Sequence, residues 1–294
     1  MTSSQNSPRI AFQGERGAFS EEAVIKLAGE NVQLVPRPTF ESLFSAIPEG
    51  AADFALAPLE NTLAGSVHQS YDLLLDCSLY IIAEVTIPIA HDLIACPGAK
   101  LGAIRSVYSH PVALAQCLRF FLDHPEIQPI AASDTAGSVR LIMEKGDPSA
   151  AAIAGRRAAE FYGGVVLLEN LQDYPENFTR FVLLSAKPET KDAANKISLV
   201  VRVKHQPGAL YSALGVFAGR GISLLKIESR PIKGSPWHYN FYLDIEGSIA
   251  DPKIVEALAE LSDRAEWYRV LGCYPAAQVH LHSHAAAPAA KPGS

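Results

Sequence analysis

The sequence predicts an α/β protein in which two lobes of strands and helices precede a smaller ferredoxin-like domain. Three observations lead to this prediction. Short apolar strands alternate with amphipathic helices over the first two-thirds of the chain, which favours a mostly parallel sheet. Residues 188–196, which lie within the stretch KPETKDAANK, then form a polar segment that is typical of a linker. Beyond it the elements follow the order βαββαβ, which is the ferredoxin-like arrangement.

The first lobe begins with a predicted strand at residues 9–12 and a helix whose expected N-cap is Ser20 and whose expected stop is Gly29. A second helix follows Thr39, because apolar side chains recur at a spacing of three and four residues. A small buried strand at residues 54–57 comes next. The apolar face of the second helix consists of Phe40, Leu43, Phe44 and Ile47.

A β-rich run at residues 80–89 interrupts the alternation, and no clean helix separates it from the strand near Ala95. It indicates a crossover between the two lobes, which would face each other across a cleft. We expect the strand that starts near Thr179 to return to the first lobe. Strand-to-helix units of the second lobe are predicted at residues 107–122, 130–146 and 151–164, with one more strand at 165–168.

The ferredoxin-like domain is expected to hold strands at residues 197–203, 222–229, 237–245 and 267–273, with helices at 207–220 and 251–263. The resulting division is one unit at 8–187, a second at 196–275, and a disordered tail at 276–294. Alternating histidines in the tail resemble a metal-binding tract, but disorder is the preferred interpretation: His280, His282 and His284.

Composition and charge exclude several functions. The 294 residues are 48% hydrophobic and 19% charged, which is ordinary for a globular protein, and the net charge of −6 without a dense Lys/Arg patch argues against nucleic acid. No segment has the pattern of a signal peptide or a bilayer span, so a cytoplasmic protein with no membrane partner is expected. Four scattered cysteines without a CxxC pair predict reduced thiols and no zinc site.

Polar groups collect where strands enter helices, which is where open α/β sheets bind ligands. Hydroxyls, amides and helix N-termini suit carboxylates and other oxyanions. Paired carboxylates, His/Cys clusters and nucleophile–base pairs are missing, so a small anion is expected, with no metal and no covalent intermediate. The segments concerned are residues 14–20 (which include Arg16), 60–62, 109–111 and 133–135.

Each of these features also has a purely structural interpretation. Gly14-x-x-Gly17-x-x-Ser20 lacks the Gly-x-Gly of a dinucleotide site and is equally well a tight turn. Ser109 is more often an N-cap than a ligand, and Asn61 is able to close an Asx-turn. Gln116 lies two helical turns after Ser109 and faces a cleft only if that side of the helix does. Their coincidence at one sheet edge is what favours a site.

Several separate motifs resemble the monofunctional prephenate dehydratases. This family joins a two-lobed catalytic domain of periplasmic-binding-protein-like fold to a C-terminal ACT regulatory domain. The resemblance runs from Arg9 to about Tyr274. The matching segments are GERGAFSEEA, APLENTLAGSV, VYSHPVALAQC, DTAGSV, AAIAG and NFTRF, followed by HQPGALYSALGVFAGRGISLLKIESRP and WHYNFYLDIEG.

The resemblance implies an active site between the lobes, with Thr179 of the TRF motif as the principal catalytic residue. It implies the conversion of prephenate to phenylpyruvate, water and carbon dioxide without a cofactor. The implied catalytic residues are Thr179, Arg180, Asn61, Ser109 and Gln116. The expected substrate-binding residues are Arg16, Ser20, Thr62, Thr135 and Phe181, and Glu60 and His110 are secondary candidates for an acid.

The same resemblance implies an L-phenylalanine effector site at a dimer interface of the second domain, and therefore a homodimer or homotetramer. Tyr211 stands where an aliphatic residue is commoner in the family. The implied effector-binding residues are Gly208, Ala209, Leu210, Tyr211, Glu228, Ser229, Arg230 and Pro231.

Three alternatives remain open at this point: an arogenate dehydratase, a non-catalytic small-molecule receptor, and a phenylalanine sensor. One geometric requirement also follows. In a regular strand Thr179 and Arg180 point to opposite faces. Both contact substrate only if they precede the regular part of the strand.

Overall fold

The computed structural model of the protein describes residues 7–278, which form three sheets with their helices. The tail prediction, including the three alternating histidines, lies mainly outside the described residues. Within residues 7–278, no helix is long and apolar enough to cross a bilayer. The mixed α/β class and the two-lobed arrangement with a ferredoxin-like domain are confirmed.

The first lobe is built on a sheet with the strand order β2-β1-β3-β11-β5, and β4 pairs with β3. Strands β1, β2 and β3 are parallel, whereas β11 runs antiparallel to both of its neighbours. Its elements are β1 (Arg9–Gln13), α1 (Phe19–Ala28), β2 (Gln33–Arg37), α2 (Phe40–Ser45), β3 (Phe54–Asn61), β4 (Gly65–Ser66), α3 (His68–Asp76), β5 (Tyr80–Pro88) and β11 (Phe178–Ser185).

The second lobe has the strand order β10-β6-β9-β7-β8. Strand β7 pairs parallel with β8 and β9, whereas β6 pairs antiparallel with β9 and β10. Its elements are β6 (Asp92–Ala95), a 3₁₀ turn (Leu101–Ala103), β7 (Ser106–Ser109), α4 (Pro111–Ala115), α5 (Leu118–Asp123), β8 (Gln128–Ala131), α6 (Thr135–Lys145), β9 (Ala150–Ala154), α7 (Arg156–Tyr162) and β10 (Val165–Leu168).

Two connections join the lobes, and each brings one reversed strand into a sheet whose other main strands run in the same direction. The first crossover, residues 89–91, leads from β5 to β6, and the second, residues 169–177, leads from β10 back to β11. The strand that follows each crossover, β6 or β11, runs opposite to its two neighbours and pairs antiparallel with both. The predicted return of the Thr179 strand to the first lobe is confirmed, since β11 lies between β3 and β5.

The third sheet has the order β13-β14-β12-β15 and is antiparallel throughout, as a ferredoxin-like domain requires. Its side chains merge with those of the first lobe in one apolar core that includes Leu184, Val200 and Tyr242. The elements are β12 (Lys196–Arg202), α8 (Ala209–Ala218), β13 (Leu224–Pro231), β14 (Tyr239–Glu246), α9 (Pro252–Arg264) and β15 (Trp267–Tyr274).

Two expected N-caps are placed differently by the structure. Helix α1 begins two residues earlier than predicted, with Ala18 as an N-cap that makes no side-chain hydrogen bond, so that Ser20 lies inside the first turn. Helix α4 is capped by the ring of His110 and not by Ser109, whose hydroxyl donates to the carbonyl of Ile153 inside the sheet. Ser20 therefore lies in the first turn of α1, and Ser109 lies inside the sheet, so neither residue caps a helix.

Candidate active site

A cavity of about 430 Å³ lies between the two lobes, at the strand ends where the sequence places its polar segments. The loop before α1, the end of β3, the first crossover, the start of α4, the start of α6 and β11 all contribute to its walls. This is the position at which open α/β sheets bind ligands. The cavity is hereafter called the cleft.

Three side-chain amides form a closed hydrogen-bonded ring in the cleft, here called the amide ring. Asn61 Nδ2 donates to Asn177 Oδ1 (2.7 Å), and Asn177 Nδ2 donates to Gln116 Oε1 (2.9 Å). Gln116 Nε2 closes the ring with a long contact of 3.4 Å to Asn61 Oδ1. Because Asn61 belongs to the first lobe, Gln116 to the second and Asn177 to a crossover, the ring ties the lobes together.

Thr179 is attached to the amide ring through its hydroxyl oxygen. Asn61 Nδ2 donates to Thr179 Oγ1 at 3.0 Å, and the two residues are paired in the register of β3 and β11. A hydroxyl has one proton and two lone pairs. Since an amide N–H already occupies one lone pair, the Thr179 proton stays available to a ligand in the cleft, which Thr179 lines.

Arg180 does not face the cleft, and the expectation that it contacts substrate beside Thr179 is wrong for this geometry. Thr179 and Arg180 both lie within the regular strand β11, so they point to opposite faces. The partner strand repeats the pattern, because Asn61 and Glu60 are paired with Thr179 and Arg180 in register. Asn61 and Thr179 line the cleft on one face of the sheet. Glu60 and Arg180 contact the ferredoxin-like domain on the other face.

The Arg180 guanidinium lies in a buried interface between the first lobe and the ferredoxin-like domain. Its Nε donates to Glu84 (2.7 Å), its Nη1 to Asp244 (2.5 Å) and its Nη2 to the Tyr274 hydroxyl (2.9 Å). Burial opposes the charge of Arg180, but the acidic groups around it prevail and hold its pKa above the ordinary value. The network continues through Lys196, which also binds Glu84.

Further ion pairs connect the two domains along β13. Lys226 Nζ lies 2.9 Å from Glu60 Oε1, so Glu60 does not act as an acid in the cleft. Arg230 binds Asp72 of α3 through two parallel hydrogen bonds of 3.0 Å. Glu228 accepts a hydrogen bond from Ser66 in β4, directly beside the cleft.

Three other expected site residues also have structural partners. Arg16 pairs with the buried carboxylate of Glu21 (2.7 Å) and lies over the Phe161 ring, where it bridges the lobes. The Thr62 hydroxyl donates to the carbonyl of Glu176 and accepts from the Phe178 N–H. Ser109 is held in the same way by its bond to Ile153. The lining of the cleft therefore does not include Arg16, Thr62 or Ser109.

The remaining expected residues do line the cleft: Asn61, Gln116, Thr179, Phe181, Ser20 and Thr135. Ser20 belongs to the first turn of α1, whose N-cap Ala18 supplies no side-chain acceptor. The first N–H groups of a helix lack partners within the helix, so this N-terminus offers donors to an anion. Thr135 begins α6, which Asp134 caps through the N–H of Gly137.

Two histidines also line the cleft. His110 Nδ1 accepts from the Val112 N–H (3.2 Å), so the ring proton of the neutral form is on Nε2. Burial lowers the pKa of His110, although Asp134 opposes the effect, and the neutral ring is favoured. His91 is 2% exposed, and its Nε2 lies 2.9 Å from Gln116 Oε1.

Asn177 and His91 are the site residues that sequence reasoning missed. Asn177 stands in the NFTRF motif, directly before the strand that carries Thr179. Its position at the end of the second crossover shows that the side chain joins β3 to α4. Nothing in the sequence near His91 distinguishes it, because its partner Gln116 is 25 residues away.

The expected effector residues fall into two groups. Ala209 and Leu210, next to Gly208, line a cavity of about 360 Å³ in the ferredoxin-like domain together with Trp237 and Tyr239. Arg230 and Pro231 line another cavity, of about 180 Å³, against α3. The two cavities have no lining residue in common, and Tyr211 is 82% exposed. Glu228 and Arg230 face the first lobe, whereas Ser229 lies on the opposite face of β13.

Among the described residues, no group of three or more His, Cys, Asp or Glu is placed to hold a metal ion. The described lining of the cleft offers side-chain amides, hydroxyls, two histidines and the carboxylate of Asp134. The protein is therefore a two-lobed α/β protein with a polar cleft between its lobes and a C-terminal ferredoxin-like domain packed against the first lobe. The chain belongs to the prephenate dehydratase family: the family's model matches residues 10–189, and the model of the ACT domain matches residues 197–263.

Named relatives agree with this assignment. The chain is 42% identical over 283 residues to "Arogenate dehydratase/prephenate dehydratase 1, chloroplastic" of Arabidopsis thaliana, covering 91% of this chain and 72% of that protein. Among solved structures, a prephenate dehydratase from Arthrobacter aurescens in complex with L-Phe has a TM-score of 0.84 and 33% identity, covering 91% and 90% of the two chains. GqqA, described as a novel type of quorum quenching acylase, has a TM-score of 0.82 and 35% identity, covering 91% and 98%.

Proposed function

We propose that the cleft converts prephenate to phenylpyruvate, water and carbon dioxide, and that Thr179 assists the departure of the ring hydroxyl. The observation that carries the proposal is the Thr179 hydroxyl, which accepts from Asn61 and keeps its own proton for a ligand in the cleft. A donor held in advance toward a developing charge stabilises the transition state more than the ground state.

The reaction breaks two bonds of prephenate. The bond between the ring and the hydroxyl oxygen breaks, and that oxygen leaves as water after gaining one proton. The bond between the ring and its carboxylate breaks as carbon dioxide departs, and its electron pair completes the aromatic ring. No electrons are exchanged with a cofactor, so the proposal requires none. A threonine hydroxyl is a weak acid, and we assign it hydrogen bonding and orientation, with water as the ultimate proton source.

Prephenate has two carboxylates, and their binding must differ from the initial expectation of an arginine clamp. None of the described residues that line the cleft is Lys or Arg. The N–H groups at the start of α1, the Ser20 and Thr135 hydroxyls, and His110 Nε2–H are the donors available to an anion. Binding by neutral donors leaves the ring carboxylate less tightly held than an Arg pair does, which suits a group that must leave.

Arogenate dehydratase is the second candidate, because one plant relative carries both activities in its name. Arogenate has an ammonium group where prephenate has a ketone. Asp134 is the carboxylate that the described cleft lining offers to such a group, and its Oδ1 already caps α6. Rates on the two substrates, measured side by side, decide between them, and Asp134→Asn is expected to affect arogenate more than prephenate.

The recorded side-chain contact of the Thr179 hydroxyl does not favour the acylase description of GqqA for this chain. Acyl transfer by a hydroxyl needs a base within hydrogen-bonding distance of the nucleophile. The recorded side-chain partner of Thr179 Oγ1 is an amide N–H, which is not a base. Hydrolysis of an acyl amide by the purified protein would contradict this conclusion.

We further propose that L-phenylalanine regulates the enzyme through the ACT domain and that two chains complete the effector site. The complex of the Arthrobacter aurescens relative contains L-Phe. Ser229 is paired with Phe241 of β14, which lines the cavity beside Gly208, and β13 is an edge strand of its sheet that exposes Leu225 and Ile227. Light scattering with and without L-phenylalanine measures the mass of the assembly, and a monomer in both conditions would contradict the proposal.

The domain limits and the location in the cell are proposals as well. A division between residues 8–187 and 196–275 predicts that limited proteolysis first cuts within the intervening segment. The four cysteines are free, which favours a reducing compartment such as the cytoplasm. The Arabidopsis relative is named as chloroplastic, and a chloroplast is also reducing.

The direct test incubates purified protein with prephenate and measures phenylpyruvate and carbon dioxide, with arogenate and an acyl amide in parallel reactions. Equal release of phenylpyruvate and carbon dioxide from prephenate is the expected result. If the purified protein turns over neither prephenate nor arogenate, the proposed function is contradicted.

A further inference from the structure

His91 lies in the first crossover, between the strands of the two lobes. Its backbone N–H donates to Gln172 Oε1, and its carbonyl accepts from the Leu171 N–H. These two bonds tie the backbone of His91, in the first crossover, to the second crossover. The ring packs edge-on against Phe19 with centroids 5.6 Å apart. Its recorded polar contact is the one between Nε2 and Gln116 Oε1, at 2.9 Å.

The amide ring determines which nitrogen of His91 carries the proton. Asn61 is oriented without ambiguity, because its Oδ1 accepts from the N–H groups of Leu63 (3.0 Å) and Ala64 (2.8 Å). Its Nδ2 therefore donates to Asn177 Oδ1. Asn177 in turn presents Nδ2 to Gln116, so the Gln116 atom that faces His91 is its oxygen. An amide oxygen only accepts, and His91 Nε2 must donate.

The other ring nitrogen of His91 supports the same assignment. Nδ1 is buried and has no hydrogen-bond partner among the described residues. A second proton on Nδ1 would place an unpaired donor and a positive charge in a site with no neighbouring acceptor. Burial lowers the pKa of His91, although the contact with Gln116 opposes the effect, and this agrees with a neutral ring.

We propose that His91 is a positioning residue, which as a neutral Nε2–H donor holds Gln116 in the orientation that closes the amide ring beneath Thr179. The inference rests on the proposed function and adds a residue to that site. Without His91, the Gln116 amide keeps one short hydrogen bond, from Asn177 (2.9 Å), and the long contact of 3.4 Å to Asn61, so its orientation is held less firmly. The second lobe then loses its fixed contact with the Asn61–Thr179 pair, and turnover falls more than substrate binding does.

Two substitutions of similar size form a matched test. In His91→Gln the amide nitrogen occupies roughly the place of Nε2, whereas in His91→Asn it occupies roughly the place of Nδ1. We expect His91→Gln to keep kcat within about threefold of the wild type and His91→Asn to lose about tenfold or more, with a smaller change in KM. Equal kcat values for the two variants would overturn the proposal.

A second measurement uses the unaltered protein and needs no activity. Nitrogen-15 NMR of the imidazole rings distinguishes a protonated from an unprotonated ring nitrogen, and His91→Gln assigns the signal by its disappearance. A proton on Nε2 and none on Nδ1 at neutral pH is expected; the opposite tautomer or an imidazolium overturns the proposal. If prephenate and arogenate are both left unchanged by the wild type, the proposed function fails, while the NMR result still decides the state of His91.

Discussion

Asn61 and Thr179 face each other across neighbouring strands, and the Asn61 amide donates a 3.0 Å hydrogen bond to the Thr179 hydroxyl oxygen. The next pair in the same register, Glu60 and Arg180, points to the opposite face and binds the ACT domain. The two-residue period of a β-strand therefore places cleft-lining and interdomain groups next to each other in sequence but on different faces of one sheet.

The amide ring predicts a specific loss on Asn177→Asp. The introduced carboxylate still accepts from Asn61 but has no N–H to donate to Gln116, so the ring opens at one bond. We expect kcat to fall about tenfold. Asn240→Asp is a matched control, because Asn240 is a buried acceptor for Arg202 outside the cleft. Similar losses of basal kcat in the two variants would show that the ring has no special role.

Arg180→Met is expected to destabilise the protein through the domain interface. Removing the guanidinium leaves Glu84 and Asp244 buried with fewer partners, and such a loss costs about 3–5 kcal/mol in the free energy of unfolding. Arg140→Met is the control, since its ion pairs with Glu15 and Glu144 are exposed and are each worth about 0–1 kcal/mol. Urea unfolding measures both, and equal midpoints would contradict a structural role for Arg180.

Gly208→Ala tests the effector site. Gly208 has φ of +77° at the start of α8, between residues that line the ACT cavity, so an alanine there shifts the cavity wall. We expect weaker inhibition by L-phenylalanine with basal turnover retained. Gly221→Ala carries similar backbone strain (φ of +66°) beyond the other end of α8 and is the control. Unchanged inhibition in Gly208→Ala places the effector elsewhere.

The buried histidines predict a dependence of stability on pH. The pKa of His91 is lowered from 6.5 by burial, so below about pH 6.5 the unfolded chain binds a proton that the folded protein does not. This contribution to stability is therefore complete above about pH 6.5 and is lost as the pH falls toward the lower folded-state value. The difference in Tm between wild type and His91→Gln should shrink between about pH 7.5 and pH 5.5. A difference that stays constant with pH would show that His91 titrates normally.

The sequence predicted the alternation of strands and helices, the ferredoxin-like domain and the return of β11 to the first lobe, because these follow from local patterns of apolar residues. It did not predict the antiparallel entry of the crossover strands, which depends on the path between the lobes. Thr179, Asn61 and Gln116 were correctly brought together at the cleft. Arg16, Arg180 and Ser109 were placed there wrongly, since a motif does not reveal which side chain meets a buried partner such as Glu21 or Asp244. His91 and Asn177 depend on contacts that only the folded chain brings together.

The central claim is that the Thr179 hydroxyl donates to the leaving oxygen of prephenate. Thr179→Val keeps the shape of the side chain and removes the hydroxyl, whereas Thr179→Ser keeps the hydroxyl and removes a methyl group. The decisive measurement is kcat for release of phenylpyruvate from prephenate by the two variants and the wild type, with equal Tm values as evidence of intact folds. The account predicts a loss of about 10²-fold or more for Thr179→Val and a much smaller loss for Thr179→Ser. A kcat of Thr179→Val close to that of the wild type would contradict it.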